Sequence, residues 1–244
     1  MKRRKKEQQL LIAGKVAVAA ARQFLGKEFV LYKLRLVFKK DEAAKYLGHL
    51  DILRTFIRAL RRGGIPIKYT QGFNPHAILT FALPTGVGVT SECEIVDIVL
   101  KEQLPLREVS EKINLNMPPN SILITSAEYT NTPMPIIEKA EYTASVKTKS
   151  VVSNETIKNA LTQKEITIEK KSKKRTVQIN IMEHISEIEV LKNAQNIIKL
   201  RYIIPAGNTF NIRPQLVTEA LFADFLGLEI LCADYHRKRF LFAK

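Results

Sequence analysis

Alternation of polar and apolar residues begins at Tyr32 and predicts the first β-strand. Through Phe38 the residue character changes with period two, which is typical of a strand with one buried face. Residues 48–63 change to a helical period, and Gly63-Gly64 predicts the end of that helix, because glycine readily adopts the left-handed conformation of a C-cap. Similar patterns predict strands at Ile65–Thr70, Ile78–Leu83, Glu94–Lys101 and Ile122–Tyr129, and a proline-opened helix at Pro105–Asn114.

The order of these elements predicts a fold. Strand, helix, two strands, helix and strand make a ferredoxin-like unit, which consists of two split βαβ motifs. After a linker at residues 131–137 the order repeats, without sequence identity between the halves. The repeat consists of strands at Ala140–Lys147, Glu165–Glu169, Arg175–Ile181, Ile198–Ile204 and Glu229–Phe242, with helices at Asn154–Leu161 and from Pro214 to about Leu226. Residues 182–197 fit this repeat least well.

We therefore expect an α+β protein built from tandem ferredoxin-like domains, each with an antiparallel sheet. The predicted divisions are a basic N-terminal extension at 1–30, a first domain at 31–130, the linker at 131–137 and a second domain at 138–244. With 45% hydrophobic residues among 244, the chain is long and apolar enough for one large domain or for two small ones of ordinary size.

The charge balance points to a polyanionic partner. Lys and Arg number 39 against 24 Asp and Glu, which gives a net charge of +15 and favours RNA, DNA or an acidic surface. Residues 1–40 hold 12 of the basic and 2 of the acidic residues, so +10 lies there and +5 lies in residues 41–244. Much of the basicity therefore belongs to the N-terminal region, and a basic protein without a specific partner is the alternative.

Residues 1–30 combine basic and small apolar residues, as a signal peptide does. Lys15 interrupts the apolar stretch and Arg22 follows it, which favours a short basic amphipathic helix, with secretion or membrane-surface binding as the alternative. No run of about 18 apolar residues is present, so we expect no transmembrane segment and a cytoplasmic protein.

The two cysteines, Cys93 and Cys232, lie far apart in apolar runs and have no CxxC partners. An iron–sulfur cluster, a structural zinc site and a disulfide framework therefore lack ligands. We expect both to be buried free thiols in a reducing compartment, and no cofactor on this chain.

The predicted helix at 48–63 carries two distinct faces. On a helical wheel one arc holds Leu50, Leu53, Phe56, Ile57 and Leu60, and a neighbouring arc holds Arg54, Arg58, Arg61 and Arg62. Guanidinium groups suit phosphate because they present paired planar donors and stay charged. The alternative is a solvated face that is partly neutralised by Asp51.

The segment after this helix mixes aromatic and hydrogen-bonding side chains. It contains Lys68, Tyr69, Gln71, Phe73, Asn74 and His76, with Gly72 and Pro75 between them. Aromatic rings interleaved with donors beside a basic helix are suited to single-stranded RNA or a flipped base. In the alternative interpretation Phe73 fills the core and Asn74-Pro75 makes a turn.

Two further basic sites are candidates. The tip of the predicted hairpin carries Lys171, Lys173 and Lys174, which can reach a phosphate backbone or simply protect a sheet edge. Arg213 precedes Pro214 at a helix start, where it can hold an anion or remain an exposed arginine. Gly86-Val-Gly88 leads into a strand rather than a helix, so it is interpreted as a turn and not as a phosphate loop.

His49 and His76 are the candidates for acid–base chemistry. His49 falls between Phe56 and Leu60 on the wheel and is expected to face the core, and no second base or carboxylate is evident beside His76. A metal-independent ribonuclease is therefore the least favoured hypothesis, and we predict no catalytic residue.

A set of short motifs occurs along the chain: Gly48–Arg54, Arg58–Arg62, Gly64–Pro66, Gln71–His76, Leu83–Val87, Val89–Glu92 and, more loosely, Asn211–Pro214. Together these motifs resemble the radical-SAM-linked family, whose members are encoded beside or fused to a radical-SAM protein. The family usually continues Pro-Lys after His76, whereas this chain has Ala77-Ile78. The resemblance implies a radical-SAM protein as partner, which would carry the iron–sulfur cluster and S-adenosylmethionine.

Together these observations favour an accessory of a radical-SAM enzyme that binds or presents RNA, in the context of tRNA or rRNA modification. The alternative is an adaptor that docks on the radical-SAM partner without RNA, with Phe73 as its anchor.

Overall fold

The computed structural model describes residues 32–171, 176–207 and 209–243, and these residues form a mixed α+β fold. The strands are β1 (Tyr32–Lys40), β2 (Leu79–Phe81), β3 (Val89–Leu100), β4 (Ile122–Tyr129), β5 (Ile137–Thr148), β6 (Thr167–Lys171), β7 (Thr176–Asn180), β8 (Glu187–Ala194), β9 (Ile197–Pro205) and β10 (Ile230–Phe242). The helices are α1 (His49–Arg62), α2 (Leu106–Leu115), α3 (Asn154–Leu161) and α4 (Pro214–Thr218), which continues as a π-helical segment at Glu219–Phe225.

One sheet runs through both halves of the chain. Its order is β4-β1-β3-β10-β5-β9-β8, and β2 also pairs with β3. β3 is long enough to serve both halves, because its C-terminal part pairs with β2 and its N-terminal part with β10. The β3–β10 pairing is parallel and the other pairings between named strands are antiparallel. The expected α+β class with a mostly antiparallel sheet is therefore confirmed.

The prediction of a separate sheet for each domain is wrong, since the two halves share one sheet. The hairpin β6–β7 forms a two-stranded sheet of its own, and β8, in the segment that fitted the repeat least well, takes the edge position beside β9. The tandem ferredoxin-like arrangement and the predicted domain boundaries stay predictions.

Several local predictions are confirmed and others are corrected. β4 and α3 have the predicted limits, and Ser153 caps α3 by accepting a hydrogen bond from the Thr156 amide. Ile65–Thr70 is not a regular strand, because only Ile67 and Tyr69 form isolated bridges. β3 starts five residues before its predicted start, and the predicted strands at 229–242 form the single strand β10.

α1 ends in a Schellman motif that the glycine pair makes possible. Gly64 adopts φ 65°, the left-handed conformation, and its amide donates to the carbonyl of Arg61. The amide of Ile65 donates to the carbonyl of Leu60, and both side chains are buried. The chain thereby turns back toward the sheet immediately after the last arginine of the helix.

α1 and α4 lie on the same face of the sheet. Phe38 contacts Phe56 of α1 with 4.9 Å between ring centroids, and the Tyr202 hydroxyl donates to the carbonyl of Pro214. Residues that pair across neighbouring strands have their side chains on the same face of the sheet. The pairings across the sheet run in order through Tyr202, Tyr142, Arg237, Ser91 and Lys40, so all five lie on one face. Phe38 is two residues before Lys40 in β1 and therefore lies on that face as well. Each half has its own apolar cluster on β3, one with Val96 and Ile98 and the other with Val89.

The segment between the halves is bound to the opposite face. Arg35 pairs with Asp97 through two hydrogen bonds of 2.8 and 2.9 Å and also donates to the carbonyl of Pro133 at 3.0 Å.

Within the described residues, no helix combines the length and apolar character needed to traverse a lipid bilayer.

Candidate functional site

The arginine surface, defined as Arg54, Arg58, Arg61 and Arg62 of α1, lies opposite the face of α1 that packs on the sheet. Ile52, Phe56, Ala59 and Leu60 are the buried residues of the helix. Leu50, which was predicted to face the core, is 61% exposed, so the buried arc is rotated from the predicted one toward Ile52 and Ala59. The rotation places the four arginines on the solvent side rather than on a flank.

The four guanidinium groups are held differently. Arg54 pairs with Asp51 at 3.1 Å, and Arg62 donates to the carbonyl of Asn116. Arg61 donates from Nε to the Tyr69 hydroxyl at 2.9 Å, and its guanidinium carbon lies 5.6 Å from the Tyr69 ring centroid. Arg58 has no ion pair or hydrogen-bonding side-chain partner within the described part of the chain. One cation of this surface is therefore fully available, and a second fixes the neighbouring loop.

The aromatic loop, defined as residues 69–76, projects from the sheet beside α1. Its base is closed by the Thr70 amide, which donates to the His76 carbonyl at 2.8 Å, and by the His76 amide, which donates to the Thr70 hydroxyl at 2.9 Å. Gly72 adopts φ 124°, a conformation that side chains disfavour. Gln71, Asn74 and His76 are exposed, and Phe73 is wholly exposed, so the alternative in which Phe73 fills the core is wrong.

The other predicted binding residues lie elsewhere. Lys68 precedes the aromatic loop, and its backbone bonds to Val99 and Ile78. Lys171 ends β6, Lys173 and Lys174 lie outside the described residues, and Arg213 is exposed at the start of α4 in the second half. The structure therefore brings together the arginine surface and the aromatic loop, but Arg213 belongs to a different site.

The structure places the two acid–base candidates, His49 and His76, away from carboxylates among the described residues. His49 is exposed rather than buried, and its ring packs edge-on against Phe81 with 5.1 Å between centroids. Neither its ring nor that of His76 bonds to a carboxylate in the described part of the protein. The described residues contain no group of three or more His, Cys, Asp or Glu placed to hold a metal ion.

A cavity of about 600 Å³ opens where the two halves meet on the helical face of the sheet. Two motifs that are more than 120 residues apart in sequence meet there, since Pro84–Val87 forms one wall and Asn211–Leu216 forms another. Tyr142 and Arg237 contribute from the strands below. Arg213 is thus a cavity residue rather than part of the arginine surface.

A buried charge cluster, defined as Lys40, Glu94, Tyr142 and Arg237, lies beneath this cavity. Arg237 donates to the Glu94 carboxylate at 2.9 Å, to the Leu83 carbonyl at 2.7 Å and to the Tyr142 hydroxyl at 3.1 Å. The second Glu94 oxygen accepts the Thr85 amide at 3.2 Å, and Lys40 donates to the Gly86 carbonyl at 3.2 Å. The cluster therefore fixes the conformation of the cavity wall.

Burial changes the titration of this region. It lowers the pKa of Lys40, with a further decrease from Arg237 and an opposing contribution from Glu94. Burial likewise raises the pKa of Tyr142, and it raises the pKa of the Cys93 thiol to about 12. Cys93 is partly buried and Cys232 is exposed, so the prediction of two buried thiols is wrong for Cys232.

Sequence reasoning missed the buried charge cluster, although a signal was present. Lys40 continues the alternation that buries Leu34, Leu36 and Phe38, and Glu94 directly precedes the apolar residues Ile95 and Val96 of β3. A charged residue at a buried position of a strand requires a partner, and that requirement predicts a buried ion pair. It does not predict which strand supplies the partner.

A second missed network connects β3 to β10 on the opposite face. The Thr90 hydroxyl lies 2.7 Å from Nδ1 of His236, whose Nε2 lies 3.1 Å from the Glu92 carboxylate. Lys238 also pairs with Glu92 at 2.7 Å and is the main reason that the pKa of Glu92 is lowered. Because Thr90 is buried and its hydroxyl also bonds to the Tyr235 carbonyl, we interpret this network as a cross-strand connection.

Several solved structures are similar to this chain at low identity. The first is an H/ACA RNP bound to a substrate RNA containing 2′-deoxyuridine, at 12% identity over 84% of this chain and 47% of that chain, with a TM-score of 0.47. The second is the archaeal box H/ACA sRNP Nop10–Cbf5 complex, at 12% identity over 84% of this chain and 47% of that chain, with a TM-score of 0.43. The third is a Cbf5–Nop10–Gar1 complex, at 13% identity over 84% of this chain and 58% of that chain, with a TM-score of 0.42. TM-scores this low do not establish a common fold, and the chain spans about half the length of those proteins.

No curated protein matches the sequence. Residues 33–214, about three quarters of the chain, match a family model, and this range includes the arginine surface, the aromatic loop, Pro84–Val87 and the first four residues of Asn211–Leu216. The match carries no indication of a radical-SAM partner, so that association stays a prediction. The chain belongs to the family described as "Uncharacterized protein conserved in bacteria (DUF2344)".

Proposed function

We propose that the protein is a non-enzymatic accessory that binds or presents RNA to a radical-SAM enzyme of tRNA or rRNA modification. The observation that carries the proposal is the wholly exposed ring of Phe73, on a loop that Tyr69 joins to the arginine surface. An exposed ring beside guanidinium groups can stack on an unpaired base while the cations contact the flanking phosphates.

The charges of this region support binding to a polyanion. Arg58 is available, Arg54 has only an exposed partner one turn away, and exposed pairs of this kind contribute about 0.2–1 kcal/mol. A phosphate group can therefore replace Asp51 at little cost. The net charge of +15 adds a long-range attraction that salt would screen.

The radical-SAM part of the proposal rests on the resemblance of the motifs. The partner would carry the iron–sulfur cluster and S-adenosylmethionine, and this chain would contribute RNA contacts from the arginine surface and the aromatic loop. Such an accessory needs a rigid support for its binding loop. The pairing of β3 with both β1 and β2, antiparallel in each case, can provide that support.

The proposal also treats the chain as two ferredoxin-like units joined edge to edge. In the first half the order β4-β1-β3, with β2 beyond β3, follows the pattern of two split βαβ motifs. The order β10-β5-β9-β8 repeats that pattern in the second half when β6 and β7 are treated as an insertion. These orders support the tandem arrangement expected from the sequence.

Filter binding of a single-stranded RNA across a salt series tests the proposal. We expect affinity to fall linearly with salt on a log–log scale, as counterion release requires. Phe73→Ala should weaken binding by about 5- to 150-fold, which corresponds to the loss of about 1–3 kcal/mol of stacking. Arg58→Glu should weaken binding and reduce the salt slope, since it removes a phosphate contact and adds a repulsive charge.

Arg107→Glu is the matched control, because Arg107 is an exposed arginine of α2 that carries the same charge change away from the loop. The proposal is wrong if no RNA binds at low salt, or if Arg58→Glu and Arg107→Glu have equal effects. Nuclease-resistant binding to the radical-SAM protein that is lost in Phe73→Ala, without RNA affinity, would instead establish the adaptor.

A further inference from the structure

The cavity between the halves has the size and lining of a small-molecule site. Its volume of about 600 Å³ lies within the range of about 300–1,000 Å³ that is typical of ligand sites. Pro84, Val87, Val89 and Leu216 supply apolar walls, and Thr85, Arg213, Gln215, Glu219 and Arg237 supply polar groups. Both halves are needed to form it, and ligand sites occur preferentially at such junctions.

The buried charges beneath the cavity do not balance. Lys40 is 0% exposed and Arg237 is 3% exposed, and both face a single buried carboxylate, that of Glu94. The group therefore carries one excess positive charge where water is scarce. An uncompensated buried charge is costly, and an anion in the adjoining cavity would compensate it.

Hydrogen-bonding groups at the cavity are also unsatisfied. The hydroxyl of Thr85 is buried and has no partner in the described part of the chain. Arg237 uses Nε and one terminal nitrogen for its protein contacts, and its other terminal nitrogen has no described partner. Buried polar groups are nearly always hydrogen-bonded, so the unpaired hydroxyl of Thr85, in a cavity that Arg237 also lines, indicates a missing partner.

We propose that this cavity binds a small organic phosphate monoester, with Arg237 contacting the phosphate from below, Thr85 from the wall and Arg213 from the rim. Three donors from three segments match the three terminal oxygens of a phosphate, and guanidinium groups bind phosphate through paired hydrogen bonds. The apolar walls at Val87 and Leu216 would hold the organic part. Glu219, on the same cavity, would accept a hydrogen bond from a hydroxyl or amino group of the ligand.

Isothermal titration calorimetry with four probes tests the proposal and distinguishes the ligand class. We expect saturable 1:1 binding of ribose 5-phosphate or adenosine 5′-monophosphate, weaker binding of inorganic phosphate and no binding of adenosine. Ribose 5-phosphate alone would indicate a sugar phosphate, and preference for the nucleotide would indicate a mononucleotide. Absence of binding by both monoesters, or equal affinity for adenosine and its monophosphate, would overturn the proposal.

Thr85→Val separates a ligand role from a structural one. Because the Thr85 hydroxyl has no described partner, the variant should melt at the same or a higher temperature while binding the monoester several-fold more weakly. Arg213→Gln, at an exposed position, should weaken binding by tenfold or more, and Arg107→Gln should leave it unchanged. Unchanged affinity in both Thr85→Val and Arg213→Gln would contradict the assignment.

The RNA proposal can fail independently of this one. Phe73→Ala and Arg58→Glu should leave monoester affinity unchanged, and Arg213→Gln should leave RNA affinity unchanged, because the aromatic loop does not line the cavity. If Arg213→Gln removes RNA binding and monoester binding together, the cavity would be part of the RNA surface and the separate small-molecule site would be excluded.

Discussion

The arginine surface and the buried charge cluster use the same guanidinium chemistry in opposite environments. Arg58 and Arg54 lie in solvent, where pairing contributes little and salt screens it. The side chains of Arg237 and Glu94 are each only 4% exposed, so their mutual contact must replace the lost water. The charges of the arginine surface are available to a partner. Those of the buried charge cluster stabilise the fold, and one of its two cations has no carboxylate of its own.

The two regions also differ in how they are assembled. The arginine surface comes from one helix of consecutive residues, so its members are neighbours as soon as α1 forms. The buried charge cluster takes one residue each from β1, β3, β5 and β10, and Glu94 and Arg237 are 143 residues apart. Its formation therefore reports that the halves have joined, whereas the arginine surface reports only local structure.

Glu94→Gln is expected to lower the free energy of unfolding more than any other variant considered. It leaves two buried cations without their carboxylate, and such a change costs about 3–5 kcal/mol. Urea unfolding followed by circular dichroism measures the loss. Glu189→Gln, which removes an exposed partner of Arg201, is the control and should leave the midpoint nearly unchanged. Equal midpoints for the two variants would show that the cluster is not a buried network.

Thiol labelling compares a side chain beside the cluster with one outside it. Burial raises the pKa of Cys93 to about 12, so at pH 8 only about one thiol in ten thousand is the reactive thiolate. Cys232 is exposed. We expect one thiol to react rapidly in the folded protein and the second to react at least about a hundredfold more slowly, until denaturant is added. Mass spectrometry identifies the labelled residue, and labelling of both at one rate would contradict the structure.

Tyr142→Phe should have an intermediate effect. It removes the acceptor of the Arg237 Nε hydrogen bond, and hydrogen bonds to charged groups contribute about 1.5–3 kcal/mol. Thermal unfolding measures the change. Tyr46→Phe is the control, because Tyr46 is exposed and its replacement should alter stability by less than about 0.5 kcal/mol.

The smallest stability effects come from removing one cation in each region. Arg58→Met should change stability by less than about 0.5 kcal/mol at any pH, since the side chain is exposed. Lys40→Met should leave stability at pH 7 within about 1 kcal/mol or raise it, because it removes an unbalanced buried charge.

The pH dependence separates these two variants. Burial lowers the pKa of Lys40, so the folded protein releases this proton at a lower pH than the unfolded chain does. The cost of burying Lys40 is therefore full below its folded pKa and disappears as the pH rises toward the ordinary lysine pKa. Any advantage of Lys40→Met over the parent should shrink between pH 7 and pH 10 in urea unfolding, and an advantage that grows would contradict the assignment.

Short-range patterns in the sequence were sufficient to predict several secondary-structure elements and the arginine surface. The alternation at 32–38, the glycine pair after α1 and the serine before α3 predict elements because their physical causes lie within a few residues. The arginines of α1 were identified for the same reason. The rotation of the helix was not predicted, because which of several apolar residues faces the sheet depends on packing against Phe38 and Phe81.

The class of the protein, most of its helical and strand segments, its basic character and the aromatic loop beside four arginines follow from the sequence alone, because each depends on residues close together in the chain. Only the tertiary structure decided that the two halves share one sheet through β3 and β10, that Phe73 points into solvent and that Arg213 faces a cavity. The reason is physical. Strand partners and cavity walls are chosen by long-range packing among many compatible apolar runs, and no single stretch of sequence records that choice.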